Sequence, residues 1–413
     1  MSPAVKRLLY VALLLAAVLG LEFGFDHLVK DAAWRQLALF AMVNVVVALS
    51  LNVINGLAGQ FSIGHAGFVG IGAYTAAVVA GNVDVRLGPD DLGSVVRLCA
   101  RLGVQDEVTI HKASDLVKSF AVMPPALLGA AFMASAFGLV VGLPSLRLKG
   151  DYLAIVTLGF AEIFRLLIAT AQTGGDQQGP ISAAIASLGG QNGYAGPLGT
   201  GVPQFAGPFW IFGAVALATI LAWRIKFSGW GRALRALRED EIAAAAVGVD
   251  PTAYKVTSFV IAAAGGGVAG ALLASMRDGN PTVQPDQFTF AYSFDAITMV
   301  ILGGSGSVTG AILGGVFVTF TVKMIEQLQG LDAVQALKAA HPNLDLNALR
   351  MVVYAAVLIA LMILRPEGLM GERELFRRTR KLGPIGKAPV EPVPVTTGAE
   401  AAAAKDPGGE ARS

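Results

Sequence analysis

The chain has 413 residues, of which 54% are hydrophobic and 15% charged, and its mean hydropathy is +0.62. Soluble domains carry about a quarter charged residues, so this composition excludes most soluble enzymes and predicts an integral membrane protein. The formal net charge of +2 is too small to indicate a nucleic-acid partner, and the single cysteine, Cys99, excludes an internal disulfide framework.

Stretches nearly free of charge mark the hydrophobic segments, because a spanning helix needs about 20 mostly apolar residues. The first, residues 8–21, follows Lys6 and Arg7 and looks like a signal peptide, but it lacks a clean cleavage site and predicts a retained helix. The uncharged run 36–83 is long enough for two crossings, split near residues 52–60. The remaining segments are 119–146, 152–172, 209–223, 256–276, the glycine-cut run 296–322, which holds two, and 351–364.

These runs predict an all-α, polytopic integral membrane protein of about ten hydrophobic segments, some of them broken or re-entrant. Basic residues near the segment ends set the orientation. Lys6 and Arg7 place the N-terminus inside, and the basic loop 224–255 and the basic residues from Arg365 onward also lie inside. The stretch 173–208 has no Lys or Arg and lies outside. An even number of crossings satisfies all of these, so both termini are predicted inside.

The chain divides into seven regions by composition. They are residues 1–34, an N-terminal helix and outer loop; 35–81, core membrane segments with a glycine-rich break; 82–118, a soluble outer insertion; 119–225, membrane segments; 226–255, an inner loop; 256–371, membrane segments; and 372–413, a disordered inner tail. Within the insertion, residues 92–102 have helical apolar spacing and residues 107–111 are predicted as a short strand.

The break in the run 36–83 combines amides, a hydroxyl, an imidazole and several glycines, including Asn52, Gln60 and His65. Irregular backbone at membrane depth is tolerated only when it is buried in protein or lines a watery cavity. Discontinuous helices near the midplane are a common way to build a solute path. Two interpretations stay open: a path-lining segment, or a plain inner turn in which His65 bonds a neighbour. No Cys, His or carboxylate lies nearby in sequence to make His65 a metal ligand.

Charged and small residues inside the segments give two further expectations. Glu162 and Arg165 are three apart on one helix, share a face and can form an ion pair inside the membrane, with either a structural or a gating role. Asp295 and Lys323 sit near the ends of their segments and are expected to reach the interface. Glycines that recur every four residues predict close helix packing; these are Gly266 and Gly270, and Gly306, Gly310 and Gly314.

The inner loop carries a predicted helix over residues 231–250, rich in good helix formers and ended by Gly248. Arg232, Arg235 and Arg238 recur every three residues and form a basic stripe. Such a helix lies on anionic lipid headgroups or docks on a soluble partner. Three acidic residues that begin at Glu239 suit anionic lipid poorly, which favours docking.

Several short stretches stand in a characteristic order between about residue 35 and residue 371. They are GQFSIGHA at 59–66, GAYT at 72–75, RLKGDYLAIVTL at 147–158, TGG at 173–175, the loop 231–248, LGGSGS at 302–307 and RPEGL at 365–369. Together they resemble the permease subunits of bacterial ABC importers for branched-chain amino acids, the hydrophobic amino acid uptake family.

The resemblance implies a set of partners and a location. The chain would be one of two homologous permease subunits in the bacterial inner membrane, in contact with lipid and with no nucleic acid. Two cytoplasmic ATPase subunits would bind beneath it, and a periplasmic binding protein would deliver the substrate, with the insertion 82–118 on the periplasmic rim. The chain has no phosphate-binding loop of its own, so we expect neither an enzyme activity nor a cofactor.

The resemblance also assigns roles to residues. The loop 231–248 would be the coupling helix, with Arg232, Arg235, Glu239 and Gly248 as candidates for the ATPase contact. Asn52, Gln60, His65 and Thr173 are the candidates for the translocation path or its gate.

Other functions stay open at this point. Within the family, the substrate could be urea, a short amide or another amino acid. From other classes, an ion-coupled secondary transporter would need a buried ionisable site, for which Glu162 is the fair candidate, and a structural scaffold would show no flux.

Overall fold

In a computed structural model of the protein, the described residues are 27–87, 107–145, 152–171 and 180–329, with single positions between 20 and 25 and between 352 and 374. The regular elements of these parts are helical. Two isolated β-bridges, Tyr194 with Val283 and Ala206 with Met276, join two loops to each other.

Eleven α-helices are described in these parts. They are α1 (Ala32–Leu51), α2 (His65–Leu87), α3 (Glu107–Ser145), α4 (Tyr152–Ala169), α5 (Pro180–Ala186), α6 (Pro208–Phe227), α7 (Gly229–Glu239), α8 (Glu241–Ala246), α9 (Pro251–Ala274), α10 (Phe290–Gly303) and α11 (Val308–Gln329). The π-helical segment Asn52–Leu57 continues α1, and short 3₁₀ turns occur at Gly190–Asn192 and Pro285–Phe288.

Six of these helices are long and apolar enough to cross a bilayer: α1 with its π-helical extension, α2, α3, α4, α6 and α9. Helix α10 has 14 residues and measures about 21 Å at 1.5 Å per residue, and α11 holds a shorter apolar stretch, Val308–Met324. These eight helices correspond to eight of the ten predicted segments. Residues 8–21 lie outside the described parts and 351–364 are described only at single positions, which are helical, so the count of ten stays a prediction.

Helices α2 and α9 meet at the centre of the described bundle through glycine. A Cβ atom on Gly72 would overlap the backbone of Gly267, and one on Gly270 would overlap the carbonyl of Val69. Backbones can approach this closely only where small residues face each other. The close packing predicted for the recurring glycines is therefore present at Gly270, and also at Gly310 and Gly314 of α11, where a Cβ would overlap the carbonyls of Gly303 and Met299 in α10.

The insertion differs from its sequence-based description at both described edges. Helix α2 extends to Leu87 and α3 begins at Glu107, so the strand predicted for 107–111 is wrong. The cause is helix cooperativity, because a short β-branched stretch next to a long apolar helix adds to that helix at little cost. Residues 88–106, including the predicted helix 92–102, lie outside the described parts.

Candidate functional site

The break after α1 begins as a π-helical turn. The N–H of Ala58 donates to the carbonyl of Val53 at 3.2 Å, five residues back, and the N–H of Gln60 donates to Ile54 at 3.1 Å. The chain then runs irregularly until α2 begins at His65. Short π-helical turns in α-helices frequently occur at functional sites, and this one continues α1 into the predicted break.

Asn52 fastens this break to the turn between α10 and α11. Its side chain is buried, donates to the carbonyl of Ser307 at 3.0 Å and accepts from the N–H of Gly306 at 2.8 Å. The guanidinium of Arg238 in α7 donates to the carbonyl of Gly56 at 3.0 Å. The π-helical segment, the α10–α11 turn and helix α7 therefore meet at one place, which we call the junction.

Between the π-helical segment and the first residue of α2, several buried polar atoms lack partners among the described residues. Gln60 is 6% exposed, and neither its amide oxygen nor its amide nitrogen has a hydrogen bond there; the same holds for the hydroxyl of Ser62 and for Nδ1 of His65. A buried polar group without a partner costs about 1–3 kcal/mol. This concentration of unmet groups fits a segment that faces water, a solute or another subunit.

One contact of His65 supports the other interpretation, in which the break is a plain inner turn. Its Nε2 lies 2.8 Å from the hydroxyl of Ser50, so the ring bonds a neighbour as a plain turn would require. Both interpretations of the break therefore keep one supporting observation. Thr173, the fourth candidate for the path, lies outside the described residues.

The predicted pair on α4 is part of a larger cluster. The carboxylate of Glu162 lies 2.9 Å from the guanidinium of Arg165, which is also 3.3 Å from Asp286. The other oxygen of Glu162 accepts from the N–H of Phe290 at 3.0 Å, at the start of α10, where a carboxylate is favoured by the helix dipole. The sequence shows the partner three residues away, but no local pattern indicates Asp286 or Phe290, which lie more than 120 residues downstream.

The inner loop forms two helices, so the single helix predicted over residues 231–250 is wrong. Asp240 has an extended backbone between α7 and α8, and its carboxylate accepts from the N–H groups of Ile242 at 2.9 Å and Ala243 at 3.0 Å. Aspartate is a favoured N-cap, so it starts a new helix rather than continuing the old one. Gly248 has φ +90°, which suits glycine, and stands just after the end of α8 as predicted.

The basic stripe on α7 does not present one uniform face. Arg232 is exposed, whereas Arg235 contacts the carbonyls of Gly231 and Lys226, both at 3.4 Å, and Arg238 reaches the junction. The cause is the amphipathic packing of α7, whose Leu234 is fully buried against the π-helical segment. Two of the three arginines thus hold the loop in place.

Helix α8 and its end present apolar side chains outward. Ile242 is 84% exposed and Val247 is 79% exposed, and the side chain of Glu239 just before them is 73% exposed. These two side chains give the inner loop exposed apolar area next to a charged residue, the composition of a protein-contact surface where such area is contiguous.

A buried ion pair lies at the inner end of α6. Lys226 is 2.5 Å from Glu374, whose carboxylate also accepts from the N–H of Val308 at 2.8 Å and from the N–H and hydroxyl of Thr309 at 3.0 and 2.7 Å. Burial alone would raise the pKa of Glu374, but these hydrogen bonds together lower it below its usual value. Glu374 thereby caps α11 and ties it to α6.

Glu374 corrects the predicted boundary of the tail. The composition predicts disorder for residues 372–413, yet Glu374 is buried. Its burial is favourable because the carboxylate pairs with Lys226 and caps the N-terminus of α11. Residues 375–413 lie outside the described parts.

The chain matches a known family over most of its length. Residues 35–362 match the family described as branched-chain amino acid transport system / permease component. The high-affinity branched-chain amino acid transport system permease protein LivM of Escherichia coli (strain K12) is 31% identical over 385 residues, which cover 89% of this chain and 76% of that protein.

Two more relatives widen the comparison. The probable branched-chain amino acid transport permease protein LivM of Methanocaldococcus jannaschii is 27% identical over 350 residues, covering 80% of this chain and 91% of the relative. The permease protein LivH of Salmonella typhimurium is 30% identical over 166 residues, 40% of this chain and 47% of the relative. No solved structure matches the chain.

The family match and the six apolar helices agree on a multi-pass membrane protein. The motifs that suggested the family from the sequence lie within the matched range, apart from RPEGL at 365–369, which follows it. This chain belongs to the family of branched-chain amino acid transport system permease components.

Proposed function

We propose that the protein is the permease subunit of an ATP-driven importer of branched-chain amino acids in the bacterial inner membrane. The family match over residues 35–362 and relatives named as branched-chain amino acid permeases support this substrate class. Similarity to both LivM and LivH supports a pair of related permeases as the membrane unit. Two ATPase subunits and a periplasmic binding protein complete the proposed assembly.

The observation that carries the proposal is the contact between α7 and the π-helical segment at the junction. The outward Ile242 and Val247 supply a surface for an ATPase subunit, with Glu239 on its rim. Arg238, near the end of α7 and two residues before Asp240, donates to the carbonyl of Gly56 in the π-helical segment. A displacement imposed on α8 therefore has a short, hydrogen-bonded route to the break and to the α10–α11 turn.

The junction is the proposed inner gate of the path. Gln60 and His65, which carry unpartnered buried atoms, are the residues we assign to the path or gate, and Thr173 joins them from the sequence. Asn52 holds the gate to the α10–α11 turn. The pair Glu162–Arg165 is assigned a structural role, because Glu162 accepts from the N–H of Phe290 at the start of α10 and Arg165 pairs with Asp286 in the 3₁₀ turn before it.

This assignment fixes the proposed topology. The junction and α7–α8 face the cytoplasm, both termini lie inside, and the loops joined by the β-bridges lie outside with the insertion 82–118 on the periplasmic rim. The regional division made from composition is retained, apart from the corrected edges of the insertion and the tail.

Replacing Ile242 with Asp tests the docking surface. A charge buried against a partner is strongly unfavourable, so Ile242→Asp should prevent co-purification of the ATPase subunits and lower ATP-dependent leucine uptake into proteoliposomes at least tenfold. Leu198→Asp is the matched control for co-purification, because Leu198 is 70% exposed in the outer loop, and it should leave the amount of co-purified ATPase subunits unchanged. Ile242 is a better test than Arg235, which bonds carbonyls of its own loop.

Unchanged co-purification and uptake in Ile242→Asp would contradict the docking assignment. Uptake that survives ATP depletion and follows the proton gradient would favour an ion-coupled transporter instead. Competition of labelled leucine by valine and isoleucine, but not by urea or acetamide, is expected for the proposed substrate class.

A further inference from the structure

A cavity of about 300 Å³ lies between α1, α10 and α11, away from the junction. Most of its wall is apolar, and it also contains a carboxylate, Asp295 of α10, and an ammonium group, Lys323 of α11. Its apolar wall includes Leu37, Phe40, Met299 and Val318.

The cavity lies toward the end of the helices opposite the coupling loop. Ala33 and Met276 line it, at the start of α1 and just beyond the end of α9. The far end of α1 is Leu51, next to the junction, about 27 Å away at 1.5 Å per residue. With α7–α8 on the cytoplasmic side, the cavity lies in the outer half of the protein, where a substrate arrives.

The two charges are the informative feature of the cavity. An ionisable side chain within an apolar helix is costly and marks function more often than structure. From the sequence we expected Asp295 and Lys323 simply to reach the interface, but both are half-buried and line the same cavity. Both also take part in other interactions of the protein, so a ligand would exchange with those contacts.

A polar network forms one wall and fixes the three helices. The buried amide of Asn44 in α1 donates to the hydroxyl of Thr319 in α11 at 2.9 Å, and it accepts from the hydroxyl of Tyr292 in α10 at 3.2 Å. Asp295 is three residues after Tyr292, and Lys323 is four residues after Thr319. Each charge therefore stands one helical turn from an anchored residue, which holds it in position.

We propose that this cavity binds a zwitterionic aliphatic amino acid on its way into the permease. The carboxylate of Asp295 accepts hydrogen bonds from the ligand's ammonium group, and Lys323 donates to its carboxylate. The aliphatic side chain packs on Leu37, Phe40, Met299 and Val318. A volume of about 300 Å³ is at the small end of ligand sites and suits one such molecule. The choice of amino acid rests on the proposed function.

The headgroup of phosphatidylethanolamine offers the same pair of charges, so the experiment must separate the two sources. The full chain, with its co-purified subunits, is placed in nanodiscs of phosphatidylglycerol alone. Equilibrium binding is then measured, without ATP, for labelled leucine, for leucinamide, which lacks the carboxylate, and for 4-methylpentanoate, which lacks the ammonium group.

The wild-type protein should bind leucine at least tenfold more tightly than either analogue, since a charged hydrogen bond supports about that ratio. Asp295→Asn should weaken leucine at least tenfold and leave 4-methylpentanoate unchanged. Lys323→Met should weaken leucine similarly and leave leucinamide unchanged; this partly exposed site tests the inference even if Asp295→Asn does not assemble. Asp278→Asn and Lys255→Met, whose residues do not line the cavity, should change none of the three.

ATP-driven leucine uptake, measured on the same preparations, separates the inference from the proposed function. If the wild-type protein takes up leucine but both cavity variants treat the three ligands as the wild type does, the inference is wrong and the function stands. If the ligand pattern is present without uptake of any branched-chain amino acid, the function is wrong and the cavity site stands. Leucine binding abolished by added phosphatidylethanolamine overturns the inference in favour of a lipid site.

Discussion

Helices α2 and α9 differ from α4 and α6 in burial although all four are similarly apolar. Their mean hydropathies are 1.4 and 1.9 against 1.9 and 1.6, yet 72% and 56% of the first pair is buried, against 28% and 17% of the second. Glycine distinguishes the pairs: a Cβ on Gly72 or Gly270 would overlap another helix, whereas one on Gly159 or Gly213 meets nothing within 4 Å. Among these four helices, hydropathy therefore does not separate the buried pair from the exposed pair, whereas closely packed glycine does.

The largest expected effect is at the glycine contact between α2 and α9. Gly270→Leu places a branched side chain against the backbone of Val69, and the helices must separate, at a cost of about 3 kcal/mol or more. We expect little monodisperse protein by size-exclusion chromatography. Gly213→Leu in α6 is the matched control and should elute as the wild type does; equal behaviour of the two variants would contradict the comparison.

The next effect sharpens the comparison, because α6 is the most exposed of the four helices yet ends on a buried ion pair. Lys226→Met leaves Glu374 buried without its cation and should cost about 3 kcal/mol, measured as a lower midpoint of thermal unfolding. Lys255→Met removes the more exposed pair with Glu241, at 2.6 Å, and should cost less than about 1 kcal/mol. Similar losses of stability in the two variants would show that the buried Lys226–Glu374 pair does not anchor α6.

The smallest expected effect is the pH dependence of the stability that the Lys226–Glu374 pair provides. Because the folded protein lowers the pKa of Glu374, its stabilisation is complete above the usual value of 4.5 and is lost as the pH falls through the lowered folded pKa. The difference in unfolding midpoint between the wild type and Glu374→Gln should be constant from pH 7 to about pH 5 and shrink below 4.5. A difference that persists unchanged to pH 3 would refute this.

Features that depend on local pattern were predictable from the sequence. The uncharged run with its glycines indicated two crossings and a break, and the spacing of Glu162 and Arg165 indicated a pair that is present at 2.9 Å. Asp240 was missed although a signal existed, because an aspartate followed by an acidic residue and a helix-forming run is typical of an N-cap.

Features that depend on distant contacts were not predictable from one sequence. Glu374 lies in a charged stretch next to a segment whose composition is typical of disorder. Nothing in the local sequence indicates that it caps a helix that begins 66 residues earlier. Arg232, Arg235 and Arg238 have the same spacing, but only the packing of α7 against the π-helical segment decides which of them face inward. Asp295 and Lys323 are likewise far apart in sequence, and only the packing of α10 against α11 places them in one cavity.

The capping carboxylate of Glu374 has a consequence for biosynthesis. Lys226 and the first N–H groups of α11 precede it by 148 and 66 residues, so a ribosome delivers both long before the group that satisfies them. Until translation is almost complete, Lys226 therefore lacks its carboxylate partner and the N-terminus of α11 lacks its cap. A messenger that ends before codon 374 would therefore yield an inserted product whose last core connection never closes.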